Sequence, residues 1–495
     1  MNRHFLHEIL NPESIAFYGA NNKGAGIASI QIMNLIVSGY QGKIYPIHLK
    51  EDSIMGFKAY KSIGEVPEVP DLVIIVLPPK IVPSIFQECG EKGVKSIVLC
   101  SGGFRELSGE YENTLTEDII EIANKYGIRF IGPNCLGFYN SWIYPENDKI
   151  ALNTSIWEKL ERGNFSIASH SGTLSSHIWF DPENIDVGLS KSISVGNEAD
   201  IDVVDCLEYF KEDETTEVIG LYIEEVKRGP EFFKLAKEIT PKKPIIAIYV
   251  GGSGAANRAV QSHTGSIAGN SRIYDAVFKK CGIIKTELVE EFLDLAVVLS
   301  KGVFPKGKRL CIITNSGGPG AMIANHAEKS GLIVPELSEA LQKKLRGMTS
   351  STASVKNPVD TTFDMDLYNY YVSIPKTLME SGEIDAIIVY GVFGFQEVLL
   401  NYLKNERIAK YAEFGKDNSK SEIPKPALEE ILISPANKLI KKHSIPILYI
   451  NPQNYSSPWS KKIRKKGAIL FQLWDRPVRC LSKLCEYAEY RRIHS

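Results

Sequence analysis

Five short apolar runs, at residues 14–18, 43–47, 71–77, 96–100 and 128–131, punctuate the first 140 residues. Segments of helical length lie between them, among them 29–38 and 82–92. A continuous apolar run, as opposed to an alternating one, predicts a strand buried on both faces, and a helix-length connection predicts a parallel neighbour. The same rhythm returns after the 142–163 stretch, with strands expected at 165–168, 189–195, 218–223 and 244–250. It returns once more with strands expected at 309–314, 385–390 and 445–450. The polar stretch 404–426 interrupts this last part and reads as a surface excursion. The pattern predicts an α/β protein of three consecutive doubly wound parallel-sheet domains, at 1–145, 146–300 and 301–495, the first of them Rossmann-like.

Each domain opens alike, with a strand, a turn of small residues and a helix. The turns are Gly19-Ala20-Asn21-Asn22-Lys23-Gly24-Ala25-Gly26, Ser169-His170-Ser171-Gly172-Thr173 and Asn315-Ser316-Gly317-Gly318-Pro319-Gly320. Such a turn aims backbone N–H groups and the positive end of a helix at one point, where anions bind. Steric need alone explains one glycine-rich turn. Three in register point to a ligand-binding enzyme in preference to a structural protein.

Composition narrows the classes. At roughly 150 residues per domain, 495 residues suggest about three domains. The chain is 44% hydrophobic and 23% charged, with a formal net charge of -2, so no global positive field steers it onto nucleic acid or acidic lipid. The cluster Lys461, Lys462, Lys465 and Lys466 reads as a solvated helix face. The eight cysteines are scattered, without paired Cys-x-x-Cys spacing, which argues against a zinc site or disulfide framework and for a reducing compartment. The first residues carry no signal-peptide core, and no apolar run approaches the roughly 20 residues of a membrane span. A cytoplasmic protein without metal, membrane or nucleic-acid partner is expected.

The first turn resembles a dinucleotide fingerprint, but its glycines do not keep strict G-x-G-x-x-G spacing. The second strand leads into His48-Leu49-Lys50, where a nicotinamide-binding unit usually places an acid. A phosphorylated ligand suits Lys50 better, with a plain NAD(P) domain as the alternative. Pro78, Ser101 and the segment Gly132-Pro133-Asn134-Cys135-Leu136-Gly137 follow later strands, at the edge where such sheets hold ligands. Cys135 reads as a nucleophile or, with no partner histidine nearby in sequence, as packing. In the second domain, Ser262-His263-Thr264-Gly265-Ser266 surrounds one histidine with small residues that leave room on its ring. Glu224, at the end of a strand, suits a carboxylate that accepts from the imidazole Nδ1–H, leaving Nε2 nucleophilic. The turn bearing Ser171, Gly172 and Thr173 offers hydroxyls and helix-start amides to a phosphate on that Nε2. Gly302 to Lys308 imitates a P-loop but precedes a strand and lacks the final Ser/Thr, so it reads as a linker.

Taken together, these segments resemble the alpha subunits of ADP-forming acetyl-CoA synthetases, nucleoside-diphosphate-forming acyl-CoA synthetases of the succinyl-CoA synthetase superfamily. The likeness also includes Asn11-Pro12-Glu13-Ser14, Ser194-Val195-Gly196-Asn197-Glu198-Ala199-Asp200, Asn357-Pro358-Val359-Asp360 and the 476–490 tail. It implies succinyl-CoA-synthetase-like, flavodoxin-like second and third domains. It also implies an acid–thiol ligase subunit that interconverts acyl-CoA, ADP and phosphate with carboxylic acid, CoA and ATP, through acyl phosphate and a phosphohistidine on His263. By the same likeness Glu224 steadies that intermediate, and Ser171, Gly172 and Thr173 bind its phosphate. The first domain would hold CoA through Gly19, Lys50, Pro78 and Ser101, with Asn134 and Cys135 near the thiol end. ATP or ADP and Mg2+ would be held by an ATP-grasp beta subunit, in a heterotetramer. The segment Tyr249-Val250-Gly251-Gly252-Ser253 departs from the family pattern in lacking a lysine, while Arg258 remains. A non-catalytic CoA-binding or regulatory protein on the same fold is the alternative function; an NAD(P)-dependent oxidoreductase would leave two domains unexplained.

Overall fold

Alternate residues of the first strands enter different cores, which is how a continuous apolar run becomes a doubly covered sheet. In β1 (Ser14–Tyr18), Ile15 and Phe17 pack with Leu72 and Ile74 of β3 (Leu72–Ile75), while Ala16 and Tyr18 pack on the other face with Val73 and Ile75. With β2 (Lys43–Ile47), β4 (Ser96–Leu99) and β5 (Arg129–Ile131) they make an all-parallel sheet of order β2-β1-β3-β4-β5. The first helix after β1, α1, spans Ile27–Val37, and α2 spans Val82–Lys92 and ends on Gly93 in the left-handed region. The computed structural model describes residues 4–24, 26–104, 110–157, 161–176, 187–256, 258, 269–362, 366–391, 401–411, 428–453 and 455–494.

The chain divides into two compact units, Met1–Ala296 and Val297–His494, and the first holds two large sheets and a two-stranded one, Ser53–Ile54 with Phe57–Lys58. The second sheet contains β6 (Phe138–Asn140), β7 (Leu152–Asn153), β8 (Arg162–Ser169), β9 (Leu189–Ser194), β10 (Val218–Ile223), β11 (Ile245–Tyr249) and β12 (Ile284–Thr286). Its order is β12-β11-β10-β8-β9-β6-β7. The five strands from β8 to β12 are parallel and repeat the 2-1-3-4-5 order of the first sheet. The departure is at the edge, where β6 runs antiparallel to β9 and β7 antiparallel to β6. The chain therefore joins the second sheet by residue 138. Around it lie α3 (Gly172–Ser176), α4 (Val203–Glu212), α5 (Gly229–Ile239) and α6 (Ser271–Cys281).

The second unit repeats the order with β13 (Leu310–Thr314), β14 (Val359–Asp360), β15 (Ala386–Tyr390), β16 (Ile447–Ile450) and β17 (Ile469–Phe471), arranged β14-β13-β15-β16-β17 and all parallel. Its core includes Cys311, Ile313, Val359, Ile387, Val389, Ile447 and Tyr449. The glycine-rich Asn315–Gly320 turn leads into α7 (Gly317–Lys329). Of the 404–426 stretch, Glu406–Tyr411 forms a short exposed helix, and 412–426 lies outside the described residues.

Candidate active site

In a 2-1-3-4-5 sheet the strand order reverses between the first strand and the third, and the crevice at their C-terminal ends is the default ligand site. In the second sheet those strands are β8 and β10. The residues that follow β8 are His170 and then Ser171, Gly172 and Thr173; the residue that follows β10 is Glu224. The topology thus brings the expected phosphate turn and the expected orienting carboxylate to one crevice. Gly172 is demanded by space, because a Cβ there would stand 2.4 Å from Leu136 Cγ. Ser171 Oγ accepts from Leu174 N–H at 3.3 Å, while Ser175 and Ser176 hydroxyls donate to the Gly172 carbonyl at 2.7 and 2.8 Å. Thr173 is exposed. Glu224 is buried and accepts the Tyr222 hydroxyl hydrogen bond. His263 lies outside the described residues, as do Ser262, Thr264, Gly265 and Ser266.

A second histidine, which sequence reading left without a role, occupies the middle of this crevice. His170 is 4% exposed, and its Nε2 lies 3.2 Å from Glu198 Oε1, whose side chain is 1% exposed. The approach is off the line of a directed hydrogen bond, so it is an ion-pair contact. The ring Nδ1 is 3.1 Å from the Tyr222 carbonyl and 3.4 Å from the Glu224 N–H. It can donate to the first or accept from the second, but not both at once. Burial disfavours a charged ring, yet Glu198, the Tyr222 carbonyl and Glu224 outweigh it and raise His170 to about 9. The ring is therefore an imidazolium at neutral pH, donating from Nδ1 to Tyr222. Glu198 Oε1 also accepts Val203 N–H at 2.8 Å, and Lys227 Nζ donates to the Asn197 and Glu198 carbonyls at 2.9 and 2.6 Å. The available signal was an acid two residues after Gly196, in the turn beyond β9; only the fold sets it opposite His170.

The first sheet assembles its own crevice. Gly19 follows β1, Pro78 lies beyond β3, Ser101 beyond β4, and Asn134 and Cys135 beyond β5, all at the C-terminal edge. Gly19 sits at φ +97°, and a Cβ there would lie 2.1 Å from the Val76 carbonyl oxygen. Ser101 Oγ accepts Leu77 N–H at 2.9 Å, and its carbonyl accepts Asn134 N–H at 2.9 Å, so Ser101 shapes two neighbouring loops. Asn134 takes φ +58° and donates from Nδ2 to Asn197 Oδ1 at 3.2 Å. Lys50 is exposed beyond β2, where His48 Nδ1 accepts the N–H groups of Lys50 and Glu51 at 3.2 and 2.9 Å. Cys135 is buried; its thiol donates to the Leu99 carbonyl at 3.4 Å, and Cys100 together with burial pushes its pKa up. That is a packing thiol and a poor nucleophile.

The two crevices define a class of protein in which a Rossmann-like α/β domain is followed by a flavodoxin-like one, each with a small-residue turn at its switch point. Residues 13–141 match the CoA binding domain family, and 162–299 the succinyl-CoA ligase like flavodoxin domain. The acetate–CoA ligase [ADP-forming] II subunit alpha of Pyrococcus furiosus is 40% identical over 384 residues, covering 77% of this chain and 81% of that one. The acetate–CoA ligase [ADP-forming] of Methanocaldococcus jannaschii is 39% identical over 72% of this chain, and the match spans 49% of its length. The solved dinucleotide forming acetyl-coenzyme A synthetase 1 of Ca. Korarchaeum cryptofilum, in complex with phosphate and ADP, superposes with a TM-score of 0.79 at 28% identity. The superposition covers 99% of this chain and 98% of that one. The chain belongs to the family of ADP-forming acetate–CoA ligase alpha subunits. The relatives favour the catalytic-subunit reading over the non-catalytic CoA-binding alternative. An alpha subunit implies a partner.

Proposed function

We propose that this chain is the CoA-binding subunit of an acid–thiol ligase that runs acyl-CoA, ADP and phosphate to carboxylic acid, CoA and ATP, reversibly. The observation that carries this reading is the convergence of the Ser171–Thr173 turn and the buried Glu224 on the switch point of the second sheet. We assign the roles to the divisions 1–145, 146–300 and 301–495: CoA binding, the phosphohistidine step and a second ligase-like domain. CoA suits the first crevice on an observation of its own, since Gly19 lets the backbone come close where any side chain would strike Val76. Gly19, Lys50, Pro78 and Ser101 would hold the cofactor, with Asn134 and Cys135 toward the thiol. Cys135 would shape the wall and take no part in bond-making.

The chemistry separates into three displacements. A phosphate oxygen attacks the thioester carbonyl, the C–S bond breaks and CoA leaves as the thiol, giving an acyl phosphate. His263 Nε2 then attacks phosphorus, the bond from phosphorus to the acyl oxygen breaks and the carboxylate leaves. Finally an ADP β-phosphate oxygen attacks the same phosphorus and the P–N bond breaks, restoring His263 and giving ATP. Glu224 would accept from His263 Nδ1–H while the ring carries phosphate, and Ser171, Gly172 and Thr173 would bind the phosphoryl oxygens.

ADP and Mg2+ would be held by an ATP-grasp beta subunit in a heterotetramer. The length of a relative supports this division: the M. jannaschii acetate–CoA ligase [ADP-forming] is about twice as long as the part of it matched here. A cytoplasmic location fits eight buried free thiols, and no described helix is long and apolar enough to cross a membrane.

The test is to incubate the chain and its partner with γ-labelled ATP. Acid-labile, alkali-stable label on this chain that disappears in His263→Ala supports the assignment. Label that survives the substitution rejects it.

A further inference from the structure

We propose that the buried His170–Glu198 pair is a positioning device that locks the Ser171–Thr173 turn to Asn134, and so to the wall of the first crevice. The inference rests on the reading of that turn as a phosphate site. His170 is the residue between β8 and the turn, and it grips the neighbouring strand twice. Its backbone N–H donates to the Tyr222 carbonyl at 3.2 Å, and its ring Nδ1 meets the same oxygen at 3.1 Å. The ring's far nitrogen meets Glu198, a non-glycine residue at φ +52°, in the left-handed region. That conformation is tied down on both sides: Ala199 N–H donates to the Gly132 carbonyl at 3.0 Å, and Lys227 bridges the Asn197 and Glu198 carbonyls. Asn197 then completes the link, its N–H on the Pro133 carbonyl at 2.9 Å and its Oδ1 accepting from Asn134.

A buried ion pair is a poor way to fill space. Desolvation cancels much of its attraction, and apolar side chains of similar volume serve stability as well or better. Its place one residue from the turn, with the counter-ion tied to the loop of the other crevice, points to alignment. The charged groups acting on the ring are Glu198 and Glu224, the latter also hydrogen-bonded by the Tyr222 phenol, whose pKa burial raises; Lys227 lies 4.0 Å from Glu198 Oε2. Loss of the ring proton would end the His170–Glu198 ion pair, leaving Glu198 only Lys227 at 4.0 Å, and would loosen the hold on the turn, which keeps the backbone N–H of His170 on the Tyr222 carbonyl.

Acyl-CoA-dependent ATP formation by the chain with its partner, measured at varied inorganic phosphate from about pH 7.5 to 10, tests this in wild type, His170→Gln and Glu198→Gln. We expect both variants to raise the phosphate KM roughly tenfold at the low end of that range, with the acyl-CoA KM changed less than about twofold. In wild type the phosphate KM should climb as pH passes about 9, where His170 loses its proton. The climb should begin at lower pH in Glu198→Gln and vanish in His170→Gln. Wild-type phosphate KM values in both variants at every pH, or equal rises in the two KM values, overturn the proposal. Should neither variant fold, as judged by thermal melting, the wild-type profile decides alone: a phosphate KM flat through pH 9 overturns it. A wild-type complex that neither turns over nor takes phosphohistidine label sinks the ligase reading instead, which is a distinguishable result.

Discussion

At the scale of single residues, two positions show how covalent geometry and charge set the crevices. Gly19 carries a left-handed φ of +97° and a carbonyl contact that no Cβ can share. Gly19→Ala therefore forces β1 and β3 apart at their ends, and we expect a loss of about 2–3 kcal/mol in urea unfolding, as for strained overpacking, together with weaker CoA binding. Wild-type stability in that variant would place the turn elsewhere. His170 makes a prediction with a sign. Its folded-state pKa is raised from 6.5 to about 9, so the folded state binds the proton more tightly than the unfolded chain. Its contribution to stability is complete below pH 6.5 and is lost as pH rises through about 9. The difference in melting temperature between wild type and His170→Gln should be largest near about pH 6 and shrink across that window. A difference that grows with pH would mean that the ring is neutral in the fold.

At the scale of elements, the strands that were easiest to read are those whose two faces are both buried. Residues 14–18 and 218–223 were delimited by hydrophobicity to the residue, because such strands are almost wholly apolar and end where the crevice begins. Five of the shorter strands were not legible. Phe138–Asn140, Leu152–Asn153, Ile284–Thr286, Val359–Asp360 and Ile469–Phe471 span two or three residues each, too short for any period to register, and their pairing is a tertiary fact. Site legibility divides the same way. Turns after strands could be located from glycine and small residues, so Gly19, Ser171 and Asn134 were expected at the ends of strands, where the structure has them. Glu198 could not be matched to His170, since 28 residues and a change of strand separate them. One buried link between elements is open to direct test. Lys191 of β9 reaches Asp213, just beyond α4, at 2.7 Å, and Thr215 at 2.6 Å, with its side chain 3% exposed. Lys191→Met strands the buried Asp213 carboxylate, and we expect about 3 kcal/mol of destabilisation in denaturant melts. Adding Asp213→Asn to the same chain should recover a large part of it; no recovery would show that packing, and not charge, sets the cost.

At the scale of the whole chain, the same 2-1-3-4-5 order is used three times, and each use leaves one crevice at its switch point. Two of these crevices fall in Met1–Ala296, so that unit holds all the described residues assigned to CoA and phosphate. A ligand that binds only the folded state stabilises it by mass action, about 2.7 kcal/mol at a hundred times its Kd. For a unit of this size that is a rise of roughly 5 °C in melting temperature. CoA should produce such a shift, and NADH at equal concentration should not; a shift with NADH alone would favour the dehydrogenase alternative. Because the contacts of Met1–Ala296 are largely internal to it, a fragment ending at Ser300 should show the same CoA-induced shift. If the fragment folds with a cooperative transition and CoA leaves that transition unmoved, the cofactor crevice is not the one lined by Gly19, Pro78, Ser101 and Asn134, all of which the fragment retains.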